Sequence, residues 1–196
     1  MIRYYTARLA IVGDDPLLLS NEDSEKVGRV MKANSLAYKP ARERITRFDI
    51  NWNIISWPGQ AWAQRVFPNL EKNLAQKKLA NALFAASRVD QKDPIKAWEL
   101  HNSELRTRSS WLNRQNFKAL HFVGPDTNLK VGLADDHEWM GGASKAKNGI
   151  ICNPNIPSEE VFTTPHALNV EGYVCSTKPL SHQGTLIDEI KVTFKA

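Results

Sequence analysis

The stretch FDINWNIISWPGQAWAQRVFPN, which runs from Phe48 to Asn69, contains a strand-like segment followed directly by a helix-like one. Its first half is rich in aromatic and β-branched residues and ends at Pro58-Gly59, a pattern typical of a strand. Its second half predicts a short helix that Pro68 stops. Strands that alternate with helices build α/β layers, so this stretch indicates the fold class.

The residues before this stretch show the same alternation. ARLAIVGDDP, residues 7–16, is a short apolar run ended by glycine, aspartate and proline, which predicts a buried strand that leads into a loop. A helical pattern follows from about Asn21 to Tyr38, with Ser20 or Asn21 as its cap. The N-terminal part of the chain is therefore expected to be α/β.

Two longer helices are predicted after the stretch. The first passes through KKLANALFAAS, residues 77–87, and its apolar stripe consists of Leu79, Leu83 and Ala86. The second opens with Asp93 as its cap and Pro94 at its first helical position. Its apolar face is predicted to comprise Ile95, Trp98, Leu105 and Leu112.

Near Asn116 the pattern changes from helical to strand-like. FKALHFVG, NLKVGL, EGYVCST and IDEIKVTF are short strand candidates, and alternation places Leu129, Val131 and Leu133 on one face. The chain from Asn116 onward is mostly β. We therefore expect a domain boundary there, between residues 1–115 and residues 116–196.

Composition excludes several classes of protein. With 42% hydrophobic and 24% charged residues and no apolar run of about 18 residues, the chain is expected to be globular and not membrane-spanning. Its net charge of +5 is spread among interleaved acids, which favours a solvated surface over a nucleic-acid interface. No signal peptide is indicated, and Cys152 and Cys175 are expected to be reduced thiols of a cytoplasmic protein.

The acidic pair Glu159-Glu160 lies in NPNIPSEEVFTTPH, residues 153–166, which three prolines punctuate. Prolines exclude a helix interior or a central strand, so a stiff extended arm is expected. Side chains alternate in such an arm, so one of the two carboxylates can face a given site, and Phe162 shares the side of Glu160. A carboxylate beside an apolar wall would suit a metal ligand or a general base, whereas a solvated pair at a strand end is the alternative.

Histidines are the other candidates for metal or proton chemistry. The five are His101, His121, His137, His166 and His182. None are paired at the spacing that places two ligands on one helix face. His121 is expected in the packed core and His101 is expected to bond a neighbouring group, whereas His166 or His182 could approach Glu160. Nucleophile-elbow, Walker and dinucleotide motifs are absent, and the glycines of GGASKAKNG, residues 141–149, are expected to form turns.

Several blocks together resemble one family. They are RVDQKDPIKAWELHN, LNRQNFKALHFVGPDTNLKVGL, NPNIPSEEVFTTPH and STKPLSHQGTLIDEIKVTF. These blocks are similar to the thermophilic metalloaminopeptidases, a family that includes aminopeptidase T, aminopeptidase S and PepS. The resemblance extends over nearly the whole chain from about Ala7, and the P-x-E-E-V-F-T-x-P block is its most specific part.

The resemblance implies a fold, an activity and one site residue. Residues 1–115 would be part of an N-terminal three-layer α/β domain, and residues 116–196 the β-rich start of a metal-binding α+β catalytic domain. The activity implied is removal of N-terminal amino acids from peptides with two divalent metal ions, zinc or cobalt. Glu160 would be a metal ligand, and Glu159 would support it or face solvent. No catalytic residue is assigned in this chain; the implied protein is a cytoplasmic homodimer that acts on peptides, not on nucleic acid or membranes.

The departures from the family pattern lead to further expectations. The remaining ligands of the family lie beyond Ala196, and family members carry additional structure before Ala7. The chain is thus expected to be a central part that binds divalent metal weakly and is inactive alone. The family often has tyrosine where this chain has His182. Two alternatives stay open: a non-catalytic truncated binding module, and a single-metal hydrolase that uses Glu160, His166 and His182.

Overall fold

The computed structural model describes residues 6–182 and 185–195. Within these residues the helices are α1 Ser24–Thr46, α2 Gln60–Val66, α3 Lys72–Ala86 and α4 Pro94–Gln115. The strands are β1 Arg8–Val12, β2 Trp52–Ser56, β3 Ala119–Gly124, β4 Thr127–Leu133, β5 Met140–Gly141, β6 Ser144–Lys145, β7 Ile151–Cys152, β8 Asn155–Ile156, β9 Val161–Phe162, β10 Pro165–Cys175, β11 Leu180–His182, β12 Thr185–Ile187 and β13 Lys191–Phe194. The predicted α/β class is confirmed. None of the described helices is long and apolar enough to cross a membrane.

The chain divides into two compact units whose segments alternate along the sequence. The first unit takes residues 6–100, 143–158, 181–182 and 185, and the second takes residues 101–142, 159–180 and 186–195. Each unit therefore contains segments from both sides of Asn116. The division into domains at residues 1–115 and 116–196 stays a prediction.

A three-stranded parallel sheet organises the first unit. Its strand order is β1-β2-β8, with Arg8 opposite Trp52 and Ile54 opposite Asn155. A parallel pair needs a crossover connection, and α1 lies in the connection between β1 and β2. The strand predicted from residues 7–16 is confirmed, but its predicted burial is wrong, because Leu9 is 61% exposed. Burial of a strand depends on which other elements pack against it, and the apolar run alone does not predict that.

Helix α1 differs from its prediction at both ends. Its cap is Asp23, whose Oδ1 accepts a hydrogen bond from the Lys26 backbone N–H at 2.8 Å. Ser20 does not cap it, because its hydroxyl donates to the Leu17 carbonyl at 2.8 Å and closes the preceding turn. The helix continues through Pro40 and ends at Thr46, beyond the predicted Tyr38.

Helices α2 and α3 form a small apolar core in the first unit. Ala63 and Ala75 are fully buried, Leu79 is nearly so, and the residues packed against them are Trp62, Phe67, Leu70 and Leu83. The predicted stripe of α3 is therefore correct at Leu79 and Leu83, but Ala86 is exposed. The short helix predicted to stop at Pro68 is confirmed as α2.

A four-stranded antiparallel sheet organises the second unit, in the order β13-β10-β4-β3. The predicted alternation in β4 is confirmed, since Leu133 is buried and Leu129 and Val131 are half-buried, whereas Lys130 is exposed. The prediction that His121 is packed core is wrong. His121 is exposed on β3, one of the two outer strands, and its Nε2 lies 2.8 Å from Asn128 Oδ1.

Helix α4 begins as predicted, because Asp93 Oδ1 accepts a hydrogen bond from the Lys96 backbone N–H at 3.0 Å. Its predicted apolar face is only partly correct: Leu105 is fully buried, but Ile95 is 75% exposed. Its buried positions are His101, Asn102, Leu105 and Ser109. The buried face of the second unit's part of this helix is thus largely polar, which makes it a source of positioned side chains.

Candidate functional site

The segment of residues 153–166 is extended in parts and bends at Pro154 and Pro157. The prediction that it avoids a central strand is wrong at its end, because Pro165 begins β10, which lies between β13 and β4. The segment contains β8 and β9 and leads into β10 at Pro165, and the Ile156–Pro157 peptide bond is cis. The acidic pair lies between β8 and β9. The part of the arm from Glu159 onward belongs to the second unit, where the remaining contacts of the site are found.

Strand β5 supports the arm directly after Glu160. In this antiparallel pair Val161 lies opposite Gly141 and Phe162 lies opposite Met140. A Cβ added to Gly141 would lie 2.9 Å from the Glu160 carbonyl oxygen and 2.8 Å from Val161 Cγ1. Glycine at position 141 therefore permits the close approach of the two backbones.

The segment that carries β5 is itself held by α4. Asn113 Nδ2 donates to the Trp139 carbonyl at 3.1 Å, and the Trp139 backbone N–H donates to Asn113 Oδ1 at 2.7 Å. Gly142 has a φ of +72°, and a Cβ there would lie 2.9 Å from Asn102 Oδ1. On the arm, the Thr163 hydroxyl donates to the Glu138 carbonyl at 2.8 Å. Helix, β5 segment and arm are thus tied together by specific contacts.

The two carboxylates of the acidic pair have different surroundings. Glu159 Oε2 lies 3.6 Å from His101 Nε2; the imidazole is 7% exposed and the Glu159 side chain is 61% exposed. Glu160 is exposed, and Phe162 is 54% exposed. The apolar side chain expected beside Glu160 is therefore itself largely open to solvent. The expectation that His101 bonds a neighbouring group is confirmed by its contact with Glu159.

Two of the other candidate histidines, His137 and His166, have local partners. His137 Nδ1 lies 2.7 Å from the Ala134 carbonyl oxygen, and its ring meets that of Trp139 edge-on at 6.5 Å. His166 Nδ1 accepts a hydrogen bond from the Leu168 backbone N–H at 3.2 Å, and His182 is exposed. Across residues 6–182 and 185–195, no group of three or more His, Cys, Asp or Glu side chains is arranged to hold a metal ion. Nothing in this part of the chain supports the single-metal alternative.

These residues fit one donor position of a metal site and not a complete site. A carboxylate is a suitable ligand for zinc, and a hydrolytic zinc site needs three protein ligands or so. The Glu160 carboxylate would be one such donor. The assignment of Glu160 as a metal ligand remains a prediction.

A separate cavity of about 380 Å³ lies in the first unit, at the carboxyl end of β1. Its lining is mainly apolar and includes Leu18, Leu19 and Trp62. Of its two carboxylates, Asp15 accepts a hydrogen bond from the Leu17 backbone N–H at 3.0 Å and so closes the loop. The cavity offers no set of groups suited to hydrolysis.

Comparison with known proteins decides the family. The whole of residues 1–196 matches the family described as thermophilic metalloprotease (M29). The chain belongs to this family. The resemblance to thermophilic metalloaminopeptidases is therefore confirmed.

Relatives in the metalloprotease family are aminopeptidases. The chain is 51% identical to aminopeptidase T of Thermus thermophilus, 41% to aminopeptidase 2 of Geobacillus stearothermophilus and 37% to aminopeptidase PepS of Streptococcus thermophilus. Each comparison covers 96% of this chain and 46% of the relative. The solved structure of wild-type AmpT from Thermus thermophilus matches with a TM-score of 0.86 at 49% identity, over 96% of this chain and 46% of that one. The chain spans about half the length of the curated relatives it matches.

Sequence reasoning missed the residues of this metalloprotease chain that hold the arm. Gly141 was expected to form a turn, but it is a strand residue pressed against Glu160. Asn113 gave no signal, because one polar residue on a long helix is usually solvated. The glycine offered a usable signal, since glycine within a strand often marks the close approach of another backbone.

Proposed function

We propose that the protein containing this chain is a metal-dependent aminopeptidase that removes N-terminal amino acids from peptides. The observation that carries the proposal is the 51% identity to aminopeptidase T over 96% of the chain. Metal dependence follows from the metalloprotease family. Because the chain covers 46% of that relative, the proposal concerns the intact protein.

In this proposal the chain contributes Glu160 as one metal ligand, on an arm whose backbone β5 holds in place. Two divalent metal ions, zinc or cobalt, supply a Lewis acid for the scissile carbonyl and an activated water. The contribution of the chain is orientation, because a ligand held by packed backbone does not have to be ordered when the metal binds. Support comes from the paired strands on one side of Glu160 and the His101 contact of Glu159 on the other.

The proposal also covers the surroundings of the enzyme. We expect peptides as substrates, no binding of nucleic acid or membranes, a cytoplasmic location and a homodimer. Support for self-association comes from β3 and β13, the outer strands of the four-stranded sheet, since unpaired strand edges favour contact with another chain.

The experiment compares this chain with the product of the complete reading frame that contains it. Release of leucine from a leucine anilide is measured with added zinc or cobalt, for both proteins and for their Glu160→Ala variants. We expect activity in the longer protein, loss of that activity in its Glu160→Ala variant, and no activity in the chain alone. Absence of activity in both would overturn the proposal in favour of the non-catalytic binding module.

A further inference from the structure

A buried imidazole on α4 contacts the arm beside the proposed ligand. His101 is 7% exposed and lies on the same face as Leu105, which is fully buried. A buried polar side chain needs a polar partner, and the Nε2 of His101 lies 3.6 Å from Glu159 Oε2. This separation is longer than a strong hydrogen bond, and Glu159 is 61% exposed, so solvent partly screens the contact on the Glu159 side while the imidazole is held by burial. Its effect is on where the arm lies.

The arm is held on both sides of Glu160. Before it, Glu159 contacts His101. After it, Val161 and Phe162 pair with β5, whose Gly141 lies against the Glu160 carbonyl. Two fixed neighbours leave the backbone of the residue between them little freedom, so the direction of its side chain is set by both contacts.

Helix α4 is connected to both contacts, the one before Glu160 and the one after it. It carries His101 itself, and through the two Asn113 hydrogen bonds to Trp139 it also holds the segment that leads into β5. A site residue is oriented best by groups whose own positions are locked by packing, and His101 satisfies this condition because it is buried.

We propose that His101 is a positioning residue of the aminopeptidase: by contacting Glu159 it fixes the arm so that Glu160 faces the metal site. The inference rests on the proposed function, since it takes Glu160 as a metal ligand. Successive side chains of an extended chain point to opposite sides, so holding Glu159 against α4 directs Glu160 away from it. Loss of a group that orients a ligand typically lowers metal affinity by about 10–100-fold.

The test measures zinc affinity by chelator competition on the metal-free product of the complete reading frame. The variants are Glu160→Ala, His101→Ala, Glu159→Ala, the double variant of His101 and Glu159, and His101→Gln, with His121→Ala as the control because His121 is exposed on β3. We expect His101→Ala to weaken zinc binding about tenfold and the double variant to be no weaker than Glu159→Ala. His101→Gln, whose amide can donate to Glu159, should restore much of the affinity, and His121→Ala should leave it unchanged.

The outcomes separate this inference from the proposed function. If Glu160→Ala abolishes zinc binding but His101→Ala does not weaken it, the positioning role is overturned and the ligand assignment stands. If Glu160→Ala leaves zinc binding unchanged, the ligand assignment fails and the positioning role fails with it. A purely structural His101 would weaken binding equally with and without Glu159, and thermal unfolding of the metal-free variants would show the same loss of stability in both backgrounds.

Discussion

Within the acidic pair, two residues of the same type make different contacts with their neighbours. Glu159 contacts a buried imidazole, whereas Glu160 has its backbone carbonyl against a glycine and its side chain exposed. The sequence predicts this difference only in part. Alternation in an extended chain indicates that the two side chains point apart, but it does not say which neighbours each one meets.

Gly141→Ala tests whether the close approach of β5 and the arm matters. The added Cβ would meet the Glu160 carbonyl and Val161, so either the arm or β5 must shift. We expect a loss of about 1–3 kcal/mol in the free energy of unfolding, together with weaker zinc binding by the complete protein. Calorimetry and chelator competition measure these two quantities. The control is Gly124→Ala, since a Cβ there has no atom within 4 Å; equal losses in both variants would contradict the steric explanation.

Single residues also show why the site was only partly predictable. The arm and Glu160 are indicated by local sequence, because proline spacing and adjacent carboxylates act over a few residues. Gly141 and His101 act through contacts with residues far along the chain. No local pattern encodes those contacts, so the sequence predicts a turn at the glycine, and for His101 it predicts a bonded neighbour without identifying Glu159.

Among the elements, α4 starts where the sequence predicts, but the character of its buried face differs from the prediction. The Asp93-Pro94 start is a local signal and was recognised. The burial of His101, Asn102 and Ser109 depends on what packs against the helix, and apolar periodicity does not predict it. Polar side chains on a buried helix face are hydrogen-bonded or otherwise paired. Here the Ser109 hydroxyl donates to the Arg106 carbonyl of the same helix, whereas His101 contacts Glu159 on the arm.

Asn113→Ala tests the hold of α4 on the segment before β5. The substitution removes both hydrogen bonds to the backbone of Trp139, a residue that is 8% exposed. We expect a loss of about 1–3 kcal/mol in unfolding free energy, because a buried N–H and a buried carbonyl lose their partner. Urea denaturation measures it. Asn81→Ala, at an exposed position of α3, should change stability by less than about 0.5 kcal/mol, and a similar loss there would contradict the assignment.

Helix α1 provides a second test, because the predicted cap and the observed cap differ. Asp23→Ala removes the carboxylate that accepts the Lys26 N–H, so a loss of about 1 kcal/mol is expected. Ser20→Ala removes only the hydrogen bond within the preceding turn and should cost less. Helicity and the urea midpoint, measured on both variants, check the order. A larger effect from Ser20→Ala would restore the cap predicted from the sequence.

For the whole molecule, the sequence predicts element types better than the pairing of distant segments. β8 joins the sheet of β2 although about a hundred residues separate them, with the Ile54 N–H donating to the Pro154 carbonyl at 2.8 Å and Asn53 Nδ2 donating to the Asn153 carbonyl at 2.6 Å. The sequence of neither strand predicts which other strand it pairs with. The order of elements along the chain therefore does not indicate which separate segments assemble into one unit.

The contact between Asp49 and Lys147 closes the first unit across such a separation and gives it a pH dependence. Lys147 Nζ lies 2.9 Å from Asp49 Oδ1. That hydrogen bond is the largest cause of an Asp49 pKa below its ordinary value of 3.8; burial, the next largest effect, opposes it, and the charges of Lys147, Arg44 and Arg47 add to the lowering. A carboxyl whose pKa is lower in the folded state stabilises the fold above its unfolded pKa and loses that contribution as pH falls through the folded pKa.

Lys147→Met should therefore lower the Tm at about pH 6, and the difference from the parent chain should shrink as pH falls below 3.8. Thermal melts across this range, with Lys145→Met as the matched control, measure the effect; a Tm difference that stays constant down to about pH 2 would show that Lys147 stabilises the unit without the charge of Asp49.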